Sequence, residues 1–181
     1  GVYEQASLGG GTALSAYYWN HRYSTDIDMF LTTSGSLPKL RLALQKMNIS
    51  DDIRFPGNYL EILISETEKI QFFETHPRMP QGRILTSLWE FNEVYIESIE
   101  EILVKKIYYR AHKGNTRDIF DIAVGLSINP HFLRECLSKG GLSQEHLSVF
   151  KNTLAQIVGN KDLLKIYQDE IGLMEPAKEY F

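Results

Sequence analysis

The sequence predicts an α+β fold in which a mixed α/β first half is followed by a helical second half. Apolar and polar residues alternate in short runs between residues 26 and 96, which predicts strands, whereas the later residues carry helix-start and helix-stop signals. We expect an α/β core over residues 1–96 and a helical lobe over residues 97–181 that completes a cleft. Because no proline-rich linker separates the two units, they should pack together.

Local patterns define the elements of the first unit. The glycines at 9–11 break the chain before a short helix, and the polar residues 66–68 join two strands as a hairpin. The predicted elements are helices at residues 12–19 and 38–47 and strands at residues 26–31, 59–65, 69–74, 83–86 and 93–96.

Capping signals define the helices of the second unit. Ser98 and Glu101 have capping-box spacing at the start of a helix that runs to about residue 111. Further helices are predicted to begin near Arg117, at Asn129-Pro130, after Ser143 and near Asn160, and Gly140-Gly141 end the one that begins at Asn129-Pro130.

Composition limits the classes of function. A single cysteine excludes a disulfide within the chain and fits a cytoplasmic location, and no apolar run reaches the roughly 20 residues that a membrane span needs. The net charge of −4 gives no overall basic field for binding duplex nucleic acid. The glycines lie so close to residue 1 that we expect the natural N-terminus to lie further upstream.

Two aspartates, Asp26 and Asp28, lie two residues apart on a predicted strand. Alternate strand residues share a face, so their backbones lie about 6–7 Å apart and their carboxylates can converge on hard cations. Magnesium binds one or two carboxylates together with substrate phosphates, and two-metal sites are common in phosphoryl transfer. The glycine run adds backbone N–H groups that can approach a phosphate beside a helix start.

Each pattern alone is weak, since D-x-D occurs by chance and glycine runs mark turns. A haloacid-dehalogenase-type site also uses D-x-D, but a Thr or Val normally follows there, whereas Met29-Phe30 follow here. Together in one short stretch, with Ser24 just before Asp26, the patterns predict the front half of a nucleotide-and-metal site.

A lysine on an apolar helix face is a candidate for the second half of the nucleotide-and-metal site. On a helical wheel Lys106 falls within the stripe of Ile99, Ile102 and Ile107, and Lys105 falls at its edge. Lys106 either extends its amine to water or directs it into a cleft. Asp118 and Asp121 share a face of the next helix, where they either favour its dipole or pair with Lys106 or Arg110.

The segments GGGTALSAYYWNHRYSTDIDMF and EEILVKKIYYRAHKGNTRDIFDI resemble the AbiEii/AbiGii toxin family of nucleotidyltransferases. Members of this family typically show a GGTAL-like turn, an H-R-x-S-x-D-I-D-F strand and a later K-x(10)-R-D-x-x-D segment. The matching residues are Gly10, Gly11, Thr12, His21, Arg22, Ser24, Asp26, Asp28, Lys106, Arg117, Asp118 and Asp121.

The resemblance implies a polymerase-β-like nucleotidyltransferase fold, with a small mixed sheet flanked by helices and followed by a C-terminal helical bundle. It implies that an acceptor hydroxyl attacks the α-phosphate of an NTP and that pyrophosphate leaves. Lys106 would contact phosphate or the nucleophile, and Asp118 or Asp121 would act as a further acid or orient Lys106. Asp26 and Asp28 would bind Mg²⁺ or Mn²⁺, and the nucleotide would contact Gly10, Gly11, Thr12, Arg22 and Ser24.

The resemblance also implies partners. The acceptor would be RNA, such as tRNA, or a protein, and the chain would be the toxin of a toxin–antitoxin or phage-defence module with a cognate antitoxin. The wider superfamily usually has a third metal carboxylate, for which Glu61 and Glu74 are the candidates, because Gln71 and Phe73 are not acids. Two alternatives stay open: a catalytically degenerate nucleotide-binding or protein-interaction scaffold, and a metal-dependent phosphohydrolase.

Overall fold

The computed structural model describes residues 6–48, 52–88 and 92–160, together with Asp162 and Ile171. Its strands are β1 (Ala6–Gly9), β2 (Ile27–Leu31), β3 (Ile53–Arg54), β4 (Tyr59–Leu63), β5 (Lys69–Glu74), β6 (Arg83–Leu88) and β7 (Asn92–Glu97). Its helices are α1 (Gly10–Ala13), continued by a π-helical segment at Leu14–Trp19, then α2 (Ser36–Met47), α3 (Ile99–Arg110), α4 (Thr116–Ile128), α5 (Phe132–Ser138) and α6 (Gln144–Val158), with a 3₁₀ turn at Ala111–Lys113.

The strands form one mixed sheet in the order β3-β4-β5-β2-β1-β7-β6. Strand β1 pairs antiparallel with β2 and parallel with β7, and β2 pairs parallel with β5. The predicted mixed α and β architecture is therefore confirmed, whereas the arrangement of the C-terminal helices as a bundle stays a prediction.

The two faces of the sheet differ in chemistry. On one face, Leu31 and Leu60 pack against Leu37 and Leu44 of α2, and a second apolar cluster joins the sheet to α3. Residues paired in register share a face, so the opposite face carries Asp28 beside Gln71 of β5. This polar face, at the end of the sheet where α1 and α3 begin, holds the candidate site.

Most predicted strands are confirmed to within a few residues, but β1 and β3 were not anticipated. Strand β1 has only four residues, ASLG, which show no clear alternation, and β3 has two. Their strand geometry comes from pairing with β2 and β4, which the local sequence does not encode.

Three helix predictions need correction. Gly10 and Gly11 are the first residues of α1 rather than a break before it. The helix predicted to begin at Asn129-Pro130 begins at Phe132, because the side chain of Asn129 accepts a hydrogen bond from the His131 N–H and closes a turn.

The third correction concerns the capping box predicted at the start of α3. Ser98 caps α3 by accepting from the Glu101 N–H, but the Glu101 carboxylate binds the backbone N–H groups of Arg78 and Met79 instead of completing a capping box. A full capping box joins Ser143 and His146 at α6. The helix predicted near Asn160 lies outside the described residues.

No helix in the described part of the chain is both long enough and apolar enough to cross a membrane.

Candidate functional site

The glycine turn makes room for Asp28. Gly9 is paired with Asp28 across β1 and β2, and Gly10 has a φ of +65°, in the left-handed region that favours glycine. A Cβ atom on Gly10 would overlap the Asp28 carboxylate. The chain therefore needs glycine here both for its backbone angle and for the position of the aspartate.

Two hydroxyls fasten this turn to the aspartate segment. The Thr12 hydroxyl donates to the backbone carbonyl of Asp26, and its oxygen lies 2.9 Å from the Ser24 Oγ. Thr12 and Ser24 thus fix the start of α1 against the chain that enters β2.

Three cations act on Asp28. Burial raises the pKa of Asp28, Asp26 adds to the rise, and Lys106, Arg110 and Lys69 oppose it. The two aspartates are therefore close enough to repel each other, and cations on α3 offset part of that repulsion. A bound divalent cation would relieve it further.

Residues from both predicted halves of the site, namely Gly10, Asp26, Asp28 and Lys106, line one cavity of about 570 Å³. A volume of this size is in the range of ligand-binding pockets. Its wall includes Gly10, Asp26, Asp28, Phe30, Lys69, Gln71, Phe73, Glu74, Glu97, Lys105, Lys106, Tyr109, Arg110 and Lys113. Gly11, Thr12, Arg22, Ser24, Asp118 and Asp121 are not in that wall.

Lys106 is held in a network that we call the Lys106 cluster. Its Nζ lies 2.5 Å from Asp118 Oδ1 and 3.0 Å from Asp121 Oδ2, and the Nε of Arg110 lies 3.1 Å from Asp118 Oδ2. Arg22 completes the cluster with two hydrogen bonds to Asp121, of 2.7 and 2.8 Å. Asp118 therefore pairs with both Lys106 and Arg110, so the pairing that the sequence left open as one possibility is present.

Asp121 is the centre of this cluster. It is fully buried and also lies 2.6 Å from the Nε2 of His21. Burial alone would raise its pKa, but Lys106 and the hydrogen bonds from Arg22 and His21 hold the pKa of Asp121 well below its usual range. Asp121 is thus an ionised anchor rather than a proton donor.

Arg22 lies behind the glycine turn. It is 2% exposed, and its guanidinium occupies the space that a Cβ atom on Gly11 would need. Since its donors are directed to Asp121 and to the Tyr23 carbonyl, the structure places Arg22 against the turn rather than in the cavity wall.

The two candidates for a third metal carboxylate lie near the aspartates but have other hydrogen-bond partners. Glu74 lines the same cavity as Asp26 and Asp28, and Glu61 lines a second cavity with Asp26. The Glu74 carboxylate accepts from the N–H groups of Gly35 and Leu37 at the start of α2, at 2.6 and 3.0 Å. Glu61 accepts from the Gln71 side chain at 2.7 Å, and Gln71 faces Asp28. Within the described ranges, no three His, Cys, Asp or Glu side chains form a group that could hold a metal.

Sequence reasoning missed a second buried group, which we call the Lys105 cluster. The Nζ of Lys105 is bonded to Glu97 Oε1 and lies 3.2 Å from Glu101 Oε1, and all three residues are buried. Burial raises the pKa of Glu97 to about 8, although Lys105 opposes the rise. The alternation of Val94, Tyr95, Ile96 and Glu97 indicated which face Glu97 takes, but only the pairing of β1 with β7 brings it to the site.

The donor set suits a hard divalent cation with an anionic ligand. Two carboxylates facing one cavity match the preference of Mg²⁺ for few protein ligands plus substrate phosphates. Lys106 and Arg110 lie beside them, where they can stabilise negative charge that develops on a transferred phosphoryl group.

A known family model covers most of the chain. The model of the family described as "Nucleotidyl transferase AbiEii toxin, Type IV TA system" matches residues 3–163. That range includes the glycine turn, both aspartates and the whole Lys106 cluster. A comparison with curated proteins gave no match.

Proposed function

Because the chain belongs to the AbiEii family of nucleotidyl transferase toxins of type IV toxin–antitoxin systems, we propose that it moves a nucleotide from an NTP to an acceptor hydroxyl with the help of Mg²⁺ or Mn²⁺. One observation carries this proposal: Asp26, Asp28 and Lys106 line the same cavity beside the glycine turn. In the reaction, the acceptor oxygen forms a bond to the α-phosphorus, the bond from that phosphorus to the β-phosphate oxygen breaks, and pyrophosphate leaves. The proton of the acceptor hydroxyl passes to water.

The two aspartates and the glycine turn are the parts of the site that we propose to hold the nucleotide. Asp26 and Asp28 would hold the divalent cation, which supplies positive charge against the phosphates. The backbone around Gly10 and Gly11 can approach a phosphate closely because neither residue has a side chain. Thr12 and Ser24 support this turn through their hydroxyls.

Lys106 supplies positive charge next to the aspartates. Asp118 and Asp121 orient its ammonium group, and Asp121 at the same time holds Arg22 behind Gly11. We therefore assign Arg22 and Asp121 to positioning, and Lys106 to contact with phosphate or with the attacking hydroxyl. Nucleotidyl transfer depends on such positioning and charge more than on covalent chemistry.

The family supports a toxin role with an antitoxin counterpart, and we propose RNA, including tRNA, or a protein hydroxyl as the acceptor. The net charge of −4 means that an RNA acceptor would depend on local cations. Lys69, Arg110 and Lys113 at the cavity wall are such cations.

One observation favours a second candidate, a scaffold that binds nucleotide without transferring it. Gln71 stands beside Asp28, and the carboxylates of Glu61 and Glu74 have other hydrogen-bond partners. Among the described residues, no three His, Cys, Asp or Glu side chains form a group that could hold a metal. A protein of this kind would bind NTP with Mg²⁺ but would release no pyrophosphate with any acceptor.

The test is a titration of the purified protein with each NTP, with and without Mg²⁺, by calorimetry. We expect Mg²⁺-dependent binding that the double substitution Asp26→Asn/Asp28→Asn abolishes, because the amides cannot supply the two negative charges. Asp162→Asn, an exposed aspartate outside the cavity wall, is the matched control and should bind like wild type. Absence of binding to every NTP would overturn the proposal, and pyrophosphate release on addition of cellular RNA would exclude the scaffold.

A further inference from the structure

Glu97 is a buried acid with one carboxyl oxygen bonded and the other free. It is 3% exposed, its Oε1 is bonded to Lys105, and its Oε2 has no hydrogen-bond partner among the described residues. An unsatisfied buried polar atom is costly, and native structures contain few of them. The free oxygen therefore points to a missing partner.

The Oε2 of Glu97 lies beside the glycine turn. Glu97 lines the same cavity as Asp26, Asp28 and Lys106, and the pairing of β1 with β7 puts it next to Gly9. A Cβ atom on Gly9 would stand 2.5 Å from the Oε2 of Glu97 and 2.6 Å from the Phe30 ring. The absence of a side chain at Gly9 thus lets the carboxyl group lie over the backbone that leads into the turn.

The carboxyl group is held firmly in this position. Lys105, which binds its other oxygen, also lies 3.2 Å from Glu101 and 4.1 Å from the centre of the Phe30 ring. The Tyr18 hydroxyl donates to the Glu97 backbone carbonyl at 2.9 Å. A group fixed in this way before a ligand arrives loses little entropy on binding.

A hydroxyl is the ligand group that suits this oxygen in either protonation state. An ionised carboxylate accepts a hydrogen bond from a hydroxyl, and a protonated carboxyl can donate one to it. A phosphate would repel the ionised form. A nucleotide whose α-phosphate lies at Asp26 and Asp28 carries its ribose hydroxyls only a few bonds away.

We propose that Glu97 forms a hydrogen bond with a ribose hydroxyl of the bound nucleotide and thereby selects ribonucleotides over deoxyribonucleotides. This inference rests on the proposed function, since it needs a nucleotide in the cavity. It assigns to Glu97 a role in substrate specificity that is separate from metal binding and from the charge supplied by Lys106.

The experiment compares binding of the preferred NTP with binding of its 2′-deoxy and 3′-deoxy forms, all with Mg²⁺. We expect wild type to bind one deoxy form about 5- to 100-fold more weakly, because the deoxy form leaves the buried oxygen unpaired. Glu97→Gln keeps an oxygen that can accept a hydrogen bond and should keep most of this preference. Glu97→Met should bind all three nucleotides equally.

One control variant and one replacement variant keep the result interpretable. Glu93→Met changes an exposed glutamate on the same strand and should keep the preference of wild type. If Glu97→Met fails to fold, the double variant Glu97→Met/Lys105→Met removes both partners of the buried pair and takes its place.

Each outcome decides one question. If wild type binds the NTP and both deoxy forms within two-fold of one another, the inference is wrong although the proposed function stands. If a preference exists and survives in Glu97→Met, another group recognises the ribose and the inference is again wrong. If wild type binds no nucleotide at all, the proposed function itself fails and the inference falls with it.

Discussion

Two adjacent lysines of α3 are held by clusters of opposite charge balance. The Lys106 cluster contains three cations, Lys106, Arg22 and Arg110, and two aspartates. The Lys105 cluster contains one cation and two glutamates, Glu97 and Glu101.

The comparison teaches that charge balance, rather than depth of burial, decides how a buried acid titrates here. Asp121 and Glu97 are 0% and 3% exposed, yet the pKa of Asp121 is lowered and that of Glu97 is raised to about 8. Lys106 and Arg22 both bind Asp121, which also has a hydrogen bond with His21, whereas Lys105 is shared between two carboxylates. Asp121 in the Lys106 cluster is therefore ionised, whereas Glu97 in the Lys105 cluster binds a proton near neutral pH.

The largest effect is expected from breaking the Lys106 cluster at Asp121. Asp121→Asn should lower the free energy of unfolding by roughly 3–5 kcal/mol at pH 7, because Arg22 and Lys106 lose a buried counter-charge. Urea denaturation measures the loss, with Asp162→Asn as the exposed control. A loss below about 1 kcal/mol would show that burial of these charges is less complete than the structure indicates.

An effect that is smaller per pH unit, and that depends on pH, is expected from Glu97. The pKa of Glu97 is about 8 in the folded protein and 4.5 in the unfolded chain. Between these two pH values the folded state therefore binds more protons than the unfolded state. The free energy of unfolding of wild type should therefore fall as pH rises from about 4.5 to 8, by at most about 1.4 kcal/mol per pH unit from this group.

Glu97→Gln should remove this contribution, so that its free energy of unfolding relative to wild type increases with pH. Urea denaturation at pH 5, 6, 7 and 8 measures the difference, in which histidines common to both proteins cancel. Glu93→Gln on the same strand should run parallel to wild type. Parallel curves for Glu97→Gln and wild type would contradict the raised pKa.

The smallest effect is expected from the helix that carries both lysines. Ser98→Ala removes the cap that accepts from the Glu101 N–H and should cost about 1 kcal/mol. Amide hydrogen exchange should speed up in the first turn of α3, near Glu101, more than near Lys106. Ser143→Ala removes the corresponding cap of α6 and should leave exchange in α3 unchanged, whereas equal exchange throughout α3 in Ser98→Ala would contradict the local effect.

Local sequence patterns were sufficient for most elements and for the residues of the first half of the site. The alternation in β2 and the amphipathic spacing of α2 and α3 are properties of short segments, so they could be predicted. The position of Lys106 on the apolar face of α3 could be derived from the helical wheel, whereas Lys105 was placed at the edge and is in fact equally buried. The wheel has no information about Glu97 and Glu101, which remove the cost of burying that second lysine.

The sequence by itself determined that a glycine turn, two aspartates and a lysine-bearing helix exist, because each depends on residues close together in the chain. The tertiary structure alone decided what they face. Pairing of β1 with β2 and β7 put Asp28 and Glu97 on either side of Gly9. Packing of α4 against α3 joined Asp121 to Lys106, and the chain between Trp19 and β2 brought Arg22 to the same carboxylate. The pKa of a buried acid depends on the charges around it, and those charges come from segments far apart in the sequence.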